Sequence, residues 1–230
     1  MVHPSTTVED YLQAIYSLEG EGETVISARL ARRMRVTPPT AWATVRRMAR
    51  DGLVILDNKK VIRLTPKGHE LAEDIVKRHR LAERFLCDVL GLGWAEAHEE
   101  AHRFEHAITP RLEARIFALA GNPTTCPHGS PIPGTAGKLA PDLVPLGSLT
   151  AGDEATVEFI SEELEEDTEL LRYLERGNVI PGSRFRVVEV APYTGVIIVE
   201  RDGTQVPLGL AVAAKIRVRR LAKDREEPSV

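Results

Sequence analysis

SARLARRMRVTPPTAWATVRRMARDGLVILDNKKVIRL, residues 27–64, is the stretch on which the fold turns. SARLARRM (27–34) reads as a short helix behind a Ser27 cap. RVTPP then breaks the chain. The next helix, 39–50, opens on proline, whose missing N–H does no harm in a first turn, and stops at Gly52. LVILDNKKVIRLTP follows, two β-rich runs around Asp57-Asn58-Lys59-Lys60, which is a hairpin signal. Upstream, Ser5 caps a helix over 5–20 whose Val8, Tyr11, Leu12, Ile15 and Leu18 recur at helical spacing. Helix, helix, turn, helix and basic hairpin make a winged helix-turn-helix.

Charge agrees with that reading. The chain carries a formal net −4, yet Ser27 to Arg63 holds ten basic residues against two acidic ones. Ser161 to Glu175 holds seven acids against one base. A basic segment in an acidic protein points to a polyanion partner for that segment alone. Residues 39–50 are then the recognition helix, with Thr37, Pro39, Thr40 and Trp42 nearest base edges and sugars. Arg47, Arg50, Lys59 and Lys60 are placed to hold phosphates.

Beyond the hairpin, residues 66–90 read as a long helix, with 94–107 and 110–120 as two more. GNPTTCPHGSPIPGTAGKLAPD is Pro/Gly-rich, so Cys126 and His128 read as loop residues. The β-rich runs EATVEFI, SRFRVVEV, GVIIVE, TQVPL and KIRVRRL follow, with one polar helix, EEDTELLRYLERG, among them. They predict a small separate β-barrel, and the class as a whole is α+β. At 43% hydrophobic and 28% charged over 230 residues, the composition is that of a soluble globular protein with room for two or three small cores. No apolar run approaches the ~20 residues that span a bilayer, no signal-peptide pattern opens the chain, and two distant cysteines imply no disulfide framework. The expectation is a cytoplasmic protein with no membrane partner. With no nucleophile-elbow or phosphate-loop pattern, no small organic substrate is implied.

AEAHEEAHRFEHAI, residues 95–108, contains His98-Glu99-Glu100-Ala101-His102, the H-E-x-x-H pattern of zinc metallopeptidases. On an ideal helix, His98, His102, Glu105 and His106 fall within an arc of roughly 100°. His79 and Glu83 share a face of the preceding helix. Such groups between helices are satisfied together by a divalent cation, whereas the bland alternative is a solvated polar face.

YLQAIYSLE, VRRMARDGLV, LTPKGHELA, KRHRLAERFL, HEEAHRFEH and GSPIPG together resemble the diphtheria-toxin repressor family of metal-dependent transcriptional regulators, strongly over residues 5–134 and more loosely beyond. The resemblance implies a winged helix-turn-helix domain over 1–73 and a helical dimerisation and metal-binding domain over 74–141. A linker over 142–149, an SH3-like domain over 150–222 and a flexible tail over 223–230 complete it. It implies a homodimer on a palindromic double-stranded DNA operator, activated by Mn2+ or Fe2+, two ions per subunit, with Co2+, Ni2+ or Zn2+ able to substitute in vitro. Carried over residue by residue, the primary site is Asp10, His102, Glu105 and His106. The ancillary site is His79, Glu83 and His98 with Glu166 and Glu169 from the SH3-like domain. Gln13 stands at a glutamate ligand position of manganese sensors, and Ala43 where relatives often carry glutamine. Asp10 agrees with manganese sensors, His102 with neither metal type, and manganese is favoured over iron as the signal for a repressor of metal-homeostasis genes. The alternatives are a zinc metallopeptidase and a metal-independent DNA-binding regulator.

Overall fold

A computed structural model describes residues 5–221; the expected tail, 223–230, lies outside the described residues. Helix α1 (Thr6–Gly20) starts after Ser5, whose carbonyl, not its hydroxyl, accepts from Val8 and Glu9. Helix α2 (Ser27–Arg33) differs from expectation at its start. Ile26, extended at φ −129, holds the cap position, so Ser27 is the first helical residue and caps nothing. Helix α3 (Pro38–Arg50) is capped by Thr37, whose side chain accepts from the Thr40 amide at 3.4 Å. Strands β1 (Val54–Leu56) and β2 (Ile62–Leu64) pair antiparallel, Val54 opposite Leu64. The Asp57 carboxylate closes their turn by accepting from the Lys59 and Val61 amides. Leu12, Ile15, Leu30, Val45, Met48 and Ile62 are fully buried in one core, so the apolar stripe read from α1 does face the helix-turn-helix.

Helix α4 (Pro66–Arg84) is capped by Thr65 and leads into a π turn, Phe85–Val89, in place of the single helix expected to residue 90. Helix α5 (Trp94–Phe104) likewise stops early and tightens into a 3-10 turn, Glu105–Ala107. Helix α6 (Pro110–Leu119) follows a Thr109 cap. Leu81, Ala97, Ala101, Ile108 and Ile116 form the core of this helical layer.

The Pro/Gly-rich loop is not a solvated connection. Cys126, His128 and Ser130 are each 1% exposed. The His128 carbonyl accepts from the Ile160 amide at 2.9 Å. Gly129, at φ +91, lies so close to the Glu158 carbonyl that a Cβ would sit 2.1 Å from its oxygen. Only glycine allows that approach.

The C-terminal sheet runs β3 (Val144–Pro145), β8 (Ile216–Arg220), β4 (Glu154–Ile160), β5 (Arg184–Ala191), β6 (Val196–Arg201), β7 (Thr204–Gly209), all neighbours antiparallel. Bulges between Val157 and Phe159 and between Val187 and Glu189 curl it. The stretch 142–149, expected as linker, supplies β3 and buries Leu146 and Leu149 in this core. The one polar helix expected here is two: α7 (Glu162–Glu165) and α8 (Thr168–Arg176), separated where Asp167 turns extended and caps α8 through the Leu170 amide. A last short helix, α9 (Leu210–Ala213), precedes β8. Trp94 and Ala95 of α5 pack into the same core, so the helical layer and the β domain share apolar surface.

Gly68, in the first turn of α4, meets the end of the wing closely: a Cβ there would sit 1.9 Å from the Leu53 carbonyl oxygen. Because that oxygen already accepts from Thr65, backbone must move to admit a methyl. Gly68→Ala is expected to destabilise the chain by about 1–3 kcal/mol, the usual range for overpacking. Urea unfolding of the two proteins side by side measures it, and equal midpoints would mean the hairpin yields freely.

Candidate metal centre

Two groups of ligand-type side chains meet where α1, α4, α5, the 121–142 loop and α7 converge. In the first, Asp10, Glu105 and His106 each present a ligand atom, all within 4.8 Å of one another. His106 Nε2 is 3.6 Å from Asp10 Oδ1 and 3.5 Å from Glu105 Oε1. Its Nδ1 bonds Glu9 at 2.8 Å, which orients the ring and is a contact no sequence pattern announced. Glu105 is fully buried. Burial raises the Asp10 carboxyl above its ordinary range, and His106 works against that rise.

The second group is deeper. His79, Glu83, His98 and Glu165 present ligand atoms within 4.8 Å of one another, as do Glu83, Cys126 and His128. Glu83 Oε1 is 3.1 Å from His79 Nε2, 2.9 Å from His98 Nδ1 and 3.6 Å from His128 Nδ1. Glu165 lies 3.4 Å from His128 and 3.7 Å from His98. Burial alone would neutralise these groups, and their shifts show the conflict. Burial lifts Glu165 well above the carboxylate range, reinforced by Glu83 and opposed by His128. Burial, with Glu83, pushes the Cys126 thiol up to about 12. Burial opposes charge on His128, yet Glu165 and Glu83 raise it to about 9. His79 is held well above its ordinary value, against burial, by Glu83 and Glu105.

A divalent cation fits this donor set. Glu83 Oε2, Glu105 Oε1, Glu165 Oε1 and His128 Nε2 are buried without a hydrogen-bond partner. Each such atom costs on the order of 1–3 kcal/mol unless something satisfies it. Four of them on site residues, across both groups, mark places for positive charge.

The expected ligands distribute as follows. Asp10, Glu105 and His106 come together. His102 borders the same cavity, but its ring lies 4.7 and 4.8 Å from those of His79 and His98, with which it forms a three-imidazole group. The ideal helix does not run through the whole stretch: α5 ends at Phe104 and a 3-10 turn carries Glu105 and His106, while His102 and His106 still line one cavity. Burial, then the neighbouring His79 and His98, drives His102 down to about 2, so it is neutral as a ligand must be. His79, Glu83 and His98 share the second group. Glu166 and Glu169 do not join it: Glu166 pairs with Arg33 and Arg35, and Glu169 is 80% exposed beside Arg172. The carboxylate that enters is Glu165, because α7 ends there and Asp167 starts a new helix pointing elsewhere. Cys126 and His128, a candidate metal pair set aside above as loop residues, present ligand atoms within 4.8 Å of Glu83. The signal available was a Cys-Pro-His-Gly run in a loop stiffened by prolines.

On the opposite end of the winged helix, Thr37, Pro39, Thr40, Arg47, Arg50, Lys59 and Lys60 are exposed. Thr37 and Thr40 share a 2.8 Å hydroxyl contact, so part of their hydrogen-bonding capacity is used at the helix start. Trp42 is half-buried rather than in the core, its ring 5.9 Å beneath the Lys60 ammonium on the wing. Arg50 has Asp51 3.7 Å away.

Three family models match in succession. They describe the iron dependent repressor N-terminal DNA binding domain over residues 3–62, the iron dependent repressor metal binding and dimerisation domain over 65–134, and a FeoA domain over 144–220. The chain is 40% identical to the iron-dependent repressor IdeR of Mycobacterium tuberculosis over 222 residues, 91% of this chain and 96% of that one. It is 34% identical to the diphtheria toxin repressor of Corynebacterium diphtheriae, over 94% and 97% of the two chains. A solved manganese-dependent transcriptional repressor in complex with manganese superposes with a TM-score of 0.81 at 38% identity, covering 93% of this chain and all of the other. The manganese regulator SloR gives 0.75 at 29%, covering 96% and 100%. The domains imply a DNA operator and a homodimer. The HEEAH run is therefore not a peptidase motif, and the chain is not an enzyme: it belongs to the diphtheria toxin repressor and iron-dependent repressor family of metal-dependent, DNA-binding transcriptional repressors.

Proposed function

We propose that this repressor controls genes of divalent-metal homeostasis and responds to Mn2+ in preference to Fe2+, with two ions per subunit and a palindromic operator. The observation that carries the reading is the meeting of Asp10, on the first helix of the DNA-binding domain, with Glu105 and His106 of the dimerisation domain. Two carboxylates and one imidazole, with neither thiol nor thioether, form a hard donor set that suits Mn2+ and offers little to soft metals. Relatives named for iron and for manganese are similarly close in identity, so the proposed preference rests on donor chemistry rather than on likeness. Glu83, Cys126, His128 and Glu165 are the proposed holders of the second ion, with His79 and His98 beside them. The bound cation supplies the positive charge that lets these carboxylates stay ionised in the interior. Co2+, Ni2+ and Zn2+ are expected to occupy both centres in vitro, Zn2+ favouring the thiol-bearing one.

The mechanism follows from what Asp10 joins. With its carboxylate held beside Glu105 and His106, α1 is fixed against α5, and the recognition helices of two subunits take one spacing, about 34 Å for successive major grooves. Converting a mostly inactive population into a mostly active one takes about 5.5 kcal/mol of differential binding, which two ions can supply. Val89, Leu90, Leu112 and Leu119 are exposed apolar side chains on the π turn and α6, a surface suited to the second subunit.

Demetallated protein is expected to bind its operator far more weakly than the Mn2+ form, and Asp10→Ala to raise the Mn2+ concentration needed at least tenfold. Fluorescence anisotropy on operator DNA across matched free Mn2+ and Fe2+ concentrations reads both. Chelator-treated protein binding as tightly as the Mn2+ form would end the proposal, and a lower Fe2+ midpoint would reverse the preference.

Co2+ gives the second centre a spectroscopic handle. Thiolate coordination by Cys126 should produce a near-ultraviolet charge-transfer band that Cys126→Ser abolishes while the Asp10 centre still loads. A band that survives the substitution removes Cys126 from the donor set.

Arg47→Ala and Arg50→Ala should each weaken binding to all sequences alike and lower the salt slope by about one unit. Altered sequence preference without lost affinity would instead put the side chain on a base edge.

A further inference from the structure

One short acidic segment touches everything that must move together. Ser161, Glu162, Glu165 and Glu166 lie in or beside α7, the four-residue helix of the FeoA domain. Glu165 faces the second ligand group and is 1% exposed. Glu162 is 5% exposed and accepts from Arg80 of α4, at 3.1 Å from Nε and 2.6 Å from Nη2. It also accepts from the Ser17 hydroxyl of α1 and lies 3.8 Å from Arg33 of α2. Glu166 is 3.8 Å from both Arg33 and Arg35, and its carbonyl accepts from Arg35 at 2.7 Å. From the DNA-binding domain, Glu21 reaches back: its carboxylate accepts from the Ser161 hydroxyl at 2.6 Å and the Glu162 amide at 3.1 Å.

We infer that this acidic turn couples the second metal centre to the helix-turn-helix, alongside the link made by Asp10. The inference rests on the proposed metal reading. Glu162 is buried with its charge answered by Arg80 and, at longer range, Arg33, and truncating one member of such a set leaves the others uncompensated. The contacts therefore hold only in a narrow range of positions of the turn. Glu165 is rigidly tied to that position, three residues from Glu162 and adjacent to Glu166. Glu165, held with Glu83 and His128 around a cation, would fix the turn, and Glu162, Glu166 and Glu21 would then fix α1 and the α2–α3 corner. Arg35 sits in that corner at φ 51, two residues before the Thr37 cap of the recognition helix. The turn thus contacts the reading head at both its supporting helices. Asp10 constrains only the start of α1, whereas Ser17 and Glu21 lie at its far end.

The test is the coupling ratio, operator affinity with saturating Mn2+ divided by affinity without it. Glu21→Ala and Glu166→Ala touch no proposed ligand and leave the buried Arg80–Glu162 pair intact. Each should lower the ratio about tenfold, within the usual range for allosteric coupling. Electron paramagnetic resonance should still count two Mn2+ per subunit, and the slowing of amide exchange at residues 161–167 expected on Mn2+ addition to the unaltered protein should be absent. Glu169→Gln, on the exposed side of the same domain, should leave the ratio unchanged. A ratio equal to that of the unaltered protein in both variants overturns the inference. So does tighter DNA binding by a metal-free variant, which would make the turn a restraint. If the unaltered protein itself shows no metal dependence, the proposed function fails before this inference is reached.

Discussion

Burying carboxylates is the constraint on which the rest of the molecule depends. Glu83, Glu105, Glu162 and Glu165 all lie at 5% exposure or less, within a few residues of contact with one another's partners. In such an interior an isolated anion is prohibitively costly, so each must be neutralised, paired or bound to a cation. The chain uses different answers side by side. Glu162 is paired with Arg80 and drops to about 2, against its burial. Glu165 is raised well above its ordinary range by burial, with His128 opposing the rise and Glu83 adding to it. One carboxylate is thus answered by an arginine at 2.6 Å and the other by a histidine at 3.4 Å.

That arrangement also explains why the three domains meet where they do. Charge compensation at one point draws on α1, α4, α5, the Pro/Gly-rich loop and α7, so no domain can tilt without disturbing the interior electrostatics of the others. The apolar contribution is smaller but of the same kind: Trp94 and Ala95 from the helical layer fill the FeoA-domain core. Docking by hydrophobic surface and docking by charge coexist, and only the second is of a kind whose electrostatics a bound ion would alter.

Local pattern carried much of the fold. The apolar spacing in α1, the proline opening of α3, the Gly52 stop and the Asp57 turn each express backbone rules that act over a few residues. What failed was set by tertiary contact. An ideal helix through 94–107 places His102 with Glu105 and His106, but the helix tightens into a 3-10 turn after Phe104, and His102 meets the rings of His79 and His98. Aligning acids along 165–169 selects Glu166 and Glu169, whereas the break at Asp167 turns Glu165 inward. Cys126 and His128 looked like loop residues because composition reports flexibility and not where a loop is pressed. The sequence contains the glycine that permits the pressing, yet only the fold reveals the Glu158 carbonyl against it.

Gly129 has an implication for how this architecture can be divided. Residues 126–131 belong by chain order to the dimerisation domain, but the Glu158 and Ile160 backbone holds them in place. Sequence boundaries therefore cut through a structural unit. A chimera exchanging the FeoA domain at residue 140 would inherit a foreign surface under its own loop, leaving His128 misplaced and the Cys126 sulfur open to oxidants. Modular exchange in this lineage is workable only when loop and sheet travel together. The thiol's protection is then a property of the pair, not of either part.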